Sequence, residues 1–454
     1  MPMQVEGRSE DGTEEVANRV VPQPSQAAEG LTKSLTDEAL IANNTRTGLT
    51  DQKSAITKGT SGSTRSVTSE NNDSTALVRE VVETSEFQDA IRKNLAQGAS
   101  ISLASGGQIN LTNVMRMKSG KWVFSAEPGA VRPRLIFKSQ NQSQMQGMAR
   151  WAIDSGVTVR LRGLDIEWDA NEPAQERLFE VMSGGQLVFE DCTLTVRGSR
   201  TDLTVFAMTG PNSTNFEEAT SPRATVRLID SLVRTSGGLF RSPGNVRNEL
   251  ELTGTLAVIG RSLLTIQAPG RLETSQTTRL QMTQTTAILG TNLATVFQGR
   301  GPGEPPHLEC KLQRTILAGD PSRESPLLEV RDGDPNHLDK DCITWEGDEV
   351  GYHQWETYRL DQNDLSGMLA RRQNREEWQL TRAAQDTQAL HGDLGFTRNF
   401  RSAQRPIWEL QPSDFAIQTE GIGQGLGARL ERLPRVIPLA NLKSSTGDGL
   451  SPEE

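Results

Sequence analysis

Apolar and small side chains recur through the middle of the chain at offsets 0, 2, 5, 7 and 9. Val159, Leu161, Leu164, Ile166 and Trp168 form one copy, and Leu187, Phe189, Cys192, Leu194 and Val196 the next. Val226, Leu228, Ser231, Val233 and Thr235 follow, then Leu250, Leu252, Thr255, Ala257 and Ile259. Leu280, Met282, Thr285, Ala287 and Leu289 come after them, and Leu308, Cys310, Gln313, Thr315 and Leu317 make the last clear copy. Weaker copies start near Leu135 and Leu338. Alternation with period 2 on both sides of a two-residue break predicts two strands joined by a tight turn. Turn-compatible pairs occupy the break: Glu190-Asp191, Ile229-Asp230 and Thr253-Gly254.

Copies begin 28, 39, 24, 30 and 28 residues apart. A short apolar burst between copies supplies a third strand: Leu178–Val181, Thr204–Phe206, Gly238–Phe240, Leu263–Ile266, Ala294–Phe297 and Leu327–Val330. The 39-residue spacing contains the loop insertion PNSTNFEEATSPR (211–223). A β-sandwich also has many short strands, but its successive hairpins need not share one five-position pattern. The repeating unit therefore predicts an all-β parallel solenoid, each coil made of three strands.

A solenoid needs covered ends, because its terminal coils expose apolar edges. Residues 85–97 predict an N-terminal cap helix. Ser85 and Gln88 have capping-box spacing, Phe87, Ile91 and Leu95 share one face, and Gly98 follows as a stop signal. ISLAS (101–105) and QINL (108–111) then read as strands. The repeat predicts a solenoid over 77–345 and a mixed capping or packing region over 346–443. The latter holds a helix near 364–388 carrying Leu365, Met368, Leu369, Trp378, Leu380 and Ala384.

Composition changes the picture at the two ends. Hydrophobic residues make up only 34% of the 454 residues, low for a compact chain. Residues 1–76 are rich in Ser, Thr, Glu, Asn and Gly and predict a disordered tail or linker, as do residues 444–454. A net charge of −10 with interspersed signs argues against a nucleic-acid partner. Cys192, Cys310 and Cys342 lack metal-ligand spacing and are expected as free, buried thiols rather than a disulfide. No stretch reaches the ~20 apolar residues of a membrane span. The start, MPMQVEGRSEDGTEEV, is not built as a signal peptide. A cytoplasmic location is expected if the frame begins there, and an extracytoplasmic one if the chain belongs to a longer membrane-anchored protein.

Strand pairs such as GVTVRLRGLDIEW (156–168) and GGQLVFEDCTLTVRG (184–198) resemble the right-handed parallel β-helix of the pectate-lyase-like (pectin lyase-like) superfamily. LQPSDFAIQTEGIGQGLGARLERLP (410–434) resembles the segment that often closes bacterial β-helix proteins. More narrowly, residues 85–434 are similar to an uncharacterised β-helix region of planctomycete proteins, often attached to membrane-anchored serine/threonine kinases. The resemblance implies right-handed winding and, through that association, the sensor region of a kinase system. The kinase motifs themselves, a Gly-rich loop with its lysine strand, HRD and DFG, are not in this sequence. GIGQGLG (421–427) does not fit a dinucleotide-binding fingerprint.

Candidate chemistry lies in the carboxylates of successive coils. Asp165, Glu167 and Asp169 lie in one coil, Glu190 and Asp191 in the next, and Asp230 in the one after. Enzymes on the resembled fold place carboxylates on exposed faces, for acid–base work or to bind Ca²⁺. That gives a polysaccharide lyase or glycoside hydrolase as one reading, with Ca²⁺ as cofactor only there. Each residue also has a plainer role. Asp191 and Asp230 align with Gly163 and Gly254 at one turn position, where both residue types satisfy turn geometry. Asp165 and Glu167 alternate with inward residues and are expected on a solvated face, pairing with Arg160 and Arg162 across coils. His307, His337, His353 and His391 have no metal-ligand spacing, and GYHQWETY (351–358) is expected to pack onto the solenoid rather than hold a sugar. The leading expectation is a non-catalytic binding or scaffold domain presenting an extended surface to a glycan or protein.

Overall fold

A computed structural model describes residues 77–435, apart from 82–83, 95, 128, 130, 139–148, 171–175, 211–221, 269–274, 299–304, 321, 332–341, 364–367, 383–384 and 398–404. The predicted tails, His337 and the weak copy at Leu338 lie outside the described residues. Among the described residues, strands fall in rotation onto three sheets of eleven, ten and ten strands. In one coil, Thr158–Arg162 joins the first sheet, Asp165–Asp169 the second and Arg177–Met182 the third. The next coil repeats this with Gln186–Glu190, Thr193–Arg197 and Thr204–Thr209. Neighbouring coils pair in parallel, Leu187 beside Val159 and Leu194 beside Ile166. The fold is an all-β parallel solenoid.

The corner between the first and second sheets explains the two-residue break. Gly163, Asp191, Asp230, Gly254, Gln284, Arg314 and Glu349 stack there, all with φ between 47° and 69°. Glycine adopts this conformation without penalty, and Asp tolerates it better than most residues. Each of their N–H groups donates to the next coil, as in Asp191 to the Ile229 carbonyl and Asp230 to the Thr253 carbonyl. One residue further on, small polar side chains turn inward. The Thr255, Thr285 and Thr315 hydroxyls donate to the Leu228, Leu252 and Met282 carbonyls of the preceding coil. These satisfied donors explain why threonine recurs at a buried position.

The interior is filled by the inward columns. Phe179, Phe206 and Phe240 stack along the third sheet with ring centroids 5.5 and 5.2 Å apart, and Trp151, Phe137 and Phe189 pack edgewise or tilted around Phe179. The three cysteines are buried thiols, none in a disulfide, and burial pushes the Cys192 thiol up to about 12. No helix among the described residues is long and apolar enough to cross a membrane.

Several expectations shift in detail. Helix α1 covers Thr84–Lys93 and buries Phe87, Ala90 and Ile91. Ser85 sits inside its first turn rather than at the cap, while the Thr84 hydroxyl accepts from the Asn110 N–H; Leu95 lies outside the described residues. At Gly98 (φ 81°) a side chain would strike the Lys121 carbonyl. The last repeat copy starts at Cys310, not Leu308, because Cys310 pairs with Leu280 and Leu312 with Met282. Its seven-residue strand, His307–Gln313, alternates throughout, so sequence alone leaves two registers open. Leu135 belongs to the second sheet, beside Ile166.

Nor does the solenoid end at 345. Ile343–Asp348, Gly351–His353 and Arg359–Asn363 build a further coil, and Asp386–Thr387 and Leu390–Gly392 continue two ladders in parallel. Of the helix expected at 364–388, residues 364–367 and 383–384, with Leu365 and Ala384, lie outside the described residues, and α2 covers Arg375–Arg382, with Trp378 buried and Leu380 83% exposed. Met368–Gln373 is instead an antiparallel strand beside Arg359–Asn363. Pairing with that edge satisfies backbone groups that helix formation would leave open on the sheet.

Candidate functional site

The outer face of the second sheet gathers part of the predicted carboxylate set. Asp165 and Glu167 project from Asp165–Asp169, but neither is solvated as alternation implies. Asp165 is 5% exposed and accepts from the Thr193 hydroxyl at 2.9 Å. Burial pushes its carboxyl above the usual range, against the pull of Thr193, Arg132 and Arg134. Glu167 lies between Arg134 at 3.3 Å and Arg197 at 2.9 Å. Arg132 reaches Asp191 at 2.6 Å from the neighbouring strand connection. Arg234, 2% exposed, donates to the Leu410 carbonyl at 2.7 Å and to the Thr195 hydroxyl at 2.8 Å. Its burial and the nearby Arg197 lower its pKa to about 10, so it stays charged at neutral pH.

This cluster mixes charges in a packed arrangement. A general acid or base must reach a substrate proton within hydrogen-bond distance, and Asp165 is closed off from solvent. The other candidates are dispersed. Glu190 lies on the outside of the first sheet, paired with Arg160 at 3.4 Å. Asp230 occupies the corner column, its carboxyl folded over Gly254 in the next coil. Among the described residues no group of three His, Cys, Asp or Glu is placed to hold a metal ion.

A second titratable group closes the C-terminal end of the interior, and spacing gave no sign of it. The Tyr352 hydroxyl donates to Asp386 at 2.6 Å, and the Trp378 indole donates to the same oxygen at 3.3 Å. His391 stacks on Tyr352 with centroids 4.9 Å apart, and its Nδ1 lies 2.7 Å from the Tyr358 hydroxyl. Desolvation pushes Asp386 and both tyrosines up. Desolvation and the nearby Arg375 pull His391 down to about 4. The signal available in sequence was the cluster of Trp, Tyr and His in a chain otherwise poor in aromatics. His353 packs separately, Phe396 edge-on at 4.9 Å and its Nδ1 accepting from the Leu394 N–H at 3.2 Å.

His391 makes a pH prediction. Unfolded, it takes a proton below its ordinary value of 6.5; folded, it does so only near 4. Its contribution to stability is therefore present above 6.5 and lost as pH falls through that window. Asp386 acts with opposite sign, since the folded state holds its proton at higher pH. Replacing His391 by Gln is expected to flatten the fall of denaturation midpoint between pH 6.5 and 4. An unchanged slope in the variant would assign that fall to other groups.

No family model, curated protein or solved structure matches this chain.

Proposed function

We propose that the chain is a non-catalytic scaffold that binds a charged protein partner along the outer face of its first sheet. The observation that carries this reading is the ladder of exposed ion pairs between neighbouring coils. Arg160 meets Glu190, Arg227 meets Glu251, Arg279 meets Glu309 and Lys311 meets Glu346. Exposed pairs of this kind are worth about 0–1 kcal/mol each, so a partner can exchange them at little cost. A depression of about 330 Å³ lies among them, lined by Arg279, Gln281, Glu309, Lys311, Thr344 and Glu346. A protein partner fits this face better than a glycan, because the rings of the first sheet that would stack on a sugar, Trp122, Phe124, Phe189 and Trp345, are buried. Right-handed winding accompanies this reading, as parallel crossovers nearly always take that hand.

The test has two arms on the full chain. Incubation with acidic and neutral polysaccharides is expected to release no products. Turnover that disappears in Glu167→Gln or Asp191→Asn would replace the scaffold with the lyase or hydrolase reading. Carbodiimide cross-linking in an extract of the source cells is expected to join a protein to Lys311, Glu309 or Glu346. Those cross-links should vanish in high salt and in Lys311→Glu.

A further inference from the structure

The geometry points to a detachable strap: residues 405–433 close over an apolar strip on the outside of the second sheet and can leave it without opening the solenoid. The strip consists of Leu232, Leu256, Val258, Ile288 and Ala318. Their strand neighbours Val233, Ala257, Ile259, Ala287, Leu289 and Leu317 belong to the main interior. The two apolar clusters therefore lie on opposite faces of one sheet, separated by its backbone. Leu410, Phe415, Ala428 and Leu433 cover the strip, with Ile407, Leu430 and Phe396 at its margin.

The strap is held in two places: to residues 394–397, where the Gln418 and Gly423 N–H groups donate to the Gly395 and Leu394 carbonyls, the Thr397 N–H donates to the Ala416 carbonyl and Phe396 bridges Ile417, and to the second sheet and its corner. Arg234 donates to the Leu410 carbonyl, the Ala428 N–H to the Thr286 hydroxyl at 3.0 Å, and the Gly427 N–H to the Arg314 carbonyl at 2.8 Å. Arg314 returns a bond to the Gly425 carbonyl at 3.2 Å. The strap adds no strand to the ladder. Beneath it the ladder is already complete: Leu256 N–H to the Ser231 carbonyl, Thr286 to Thr255, and Ile316 to Thr285. Release therefore breaks no hydrogen bond between the strands of the three sheets, and only the isolated Phe396–Ile417 bridge opens with it. The strap also carries its own order, through an Arg405–Asp414 ion pair at 2.8 Å and a bond from the Gln411 N–H to Asp414.

Burial of its leucines and phenylalanine holds the strap closed, and opening bares an apolar strip with Arg234 at one end. That surface is a docking site for a segment with the strap's features: well-spaced Leu and Phe side chains and a backbone carbonyl for Arg234. Its resident occupant is residues 405–433 of this chain. This inference is independent of the first-sheet binding reading.

Native-state hydrogen exchange on the full chain, across rising denaturant, tests it. Strap amides are expected to lose protection in a separate, earlier step, with roughly tenfold or more lower protection than the ladder amides. A labelled peptide of residues 405–435 should then bind the full chain saturably, and the same peptide carrying Phe415→Ala and Leu433→Ala should not. One common step for strap and ladder, or no saturable peptide binding, overturns the inference.

Discussion

Replacing Phe179 by alanine is expected to cost about 3–5 kcal/mol of stability, the range for emptying a buried aromatic site. Phe179 is fully buried and touches four rings: Phe137, Trp151, Phe189 and Phe206. It joins the columns of all three sheets, so the walls around it cannot collapse without shifting several ladders. Removing the ring forfeits both its apolar burial and its edgewise and stacked contacts. In a solenoid each coil is stabilised mainly by its neighbours, so the loss should concentrate around residues 151–206. Denaturant unfolding followed by circular dichroism gives the total, and hydrogen exchange locates it. A loss below about 1 kcal/mol would show that the interior repacks, contrary to the close packing of protein cores.

The second large effect is expected at the other end of the interior. Arg359 and Asp361 follow Leu328 and Val330 in register, so the inward columns of the third sheet end in an ion pair. The two side chains are 3% and 2% exposed and meet at 2.9 Å. Asp361→Ala leaves the buried guanidinium without that carboxylate and is expected to cost about 3–5 kcal/mol. Arg359→Met combined with Asp361→Leu removes both charges, and such replacements are often neutral or stabilising by about 1–4 kcal/mol. The pair of variants separates the cost of removing one partner from the worth of the ion pair. If the double variant loses as much as Asp361→Ala, the pair itself stabilises the last coil. The readout is the denaturation midpoint, with exchange over 343–392 locating the change.

The terminal layer differs chemically from the coils beneath it. Trp345, Tyr352, Arg359, Asp361, Trp378, Asp386 and His391 bring polar atoms inward where the preceding coils place Leu, Val and Cys. A last coil has no neighbour to cover it, and polar groups there can bond to α2 and to the strand Met368–Gln373. The Arg372 guanidinium on Thr357 at 2.8 Å is one such contact.

Much of the fold was legible because alternation is a local property. A residue two positions along a strand returns to the same face, whatever the rest of the chain does. Hence Val159, Leu187, Val226, Leu250 and Leu280 declared one inward column, and Asp191 and Asp230 declared a corner. Register was lost only where alternation ran on without a break, as in His307–Gln313. Outward positions are less legible. Leu232, Leu256, Val258 and Ile288 make their strands apolar on both faces, a pattern that implies cover on each side, but the sequence does not say what provides it. Asp165 and Glu167 looked solvated for the same reason: alternation sets direction, whereas burial depends on what arrives from elsewhere.

Sequence by itself determined the coil, its three strands, its corner and its inward columns, since each follows from backbone geometry within about thirty residues. Tertiary structure alone decided that Arg234 meets the carbonyl of Leu410, that Asp165 is closed off among arginines, and that Asp386 and His391 share the last layer of the interior. Those contacts join segments far apart in the chain, and no local periodicity records which distant segment will cover an outward face.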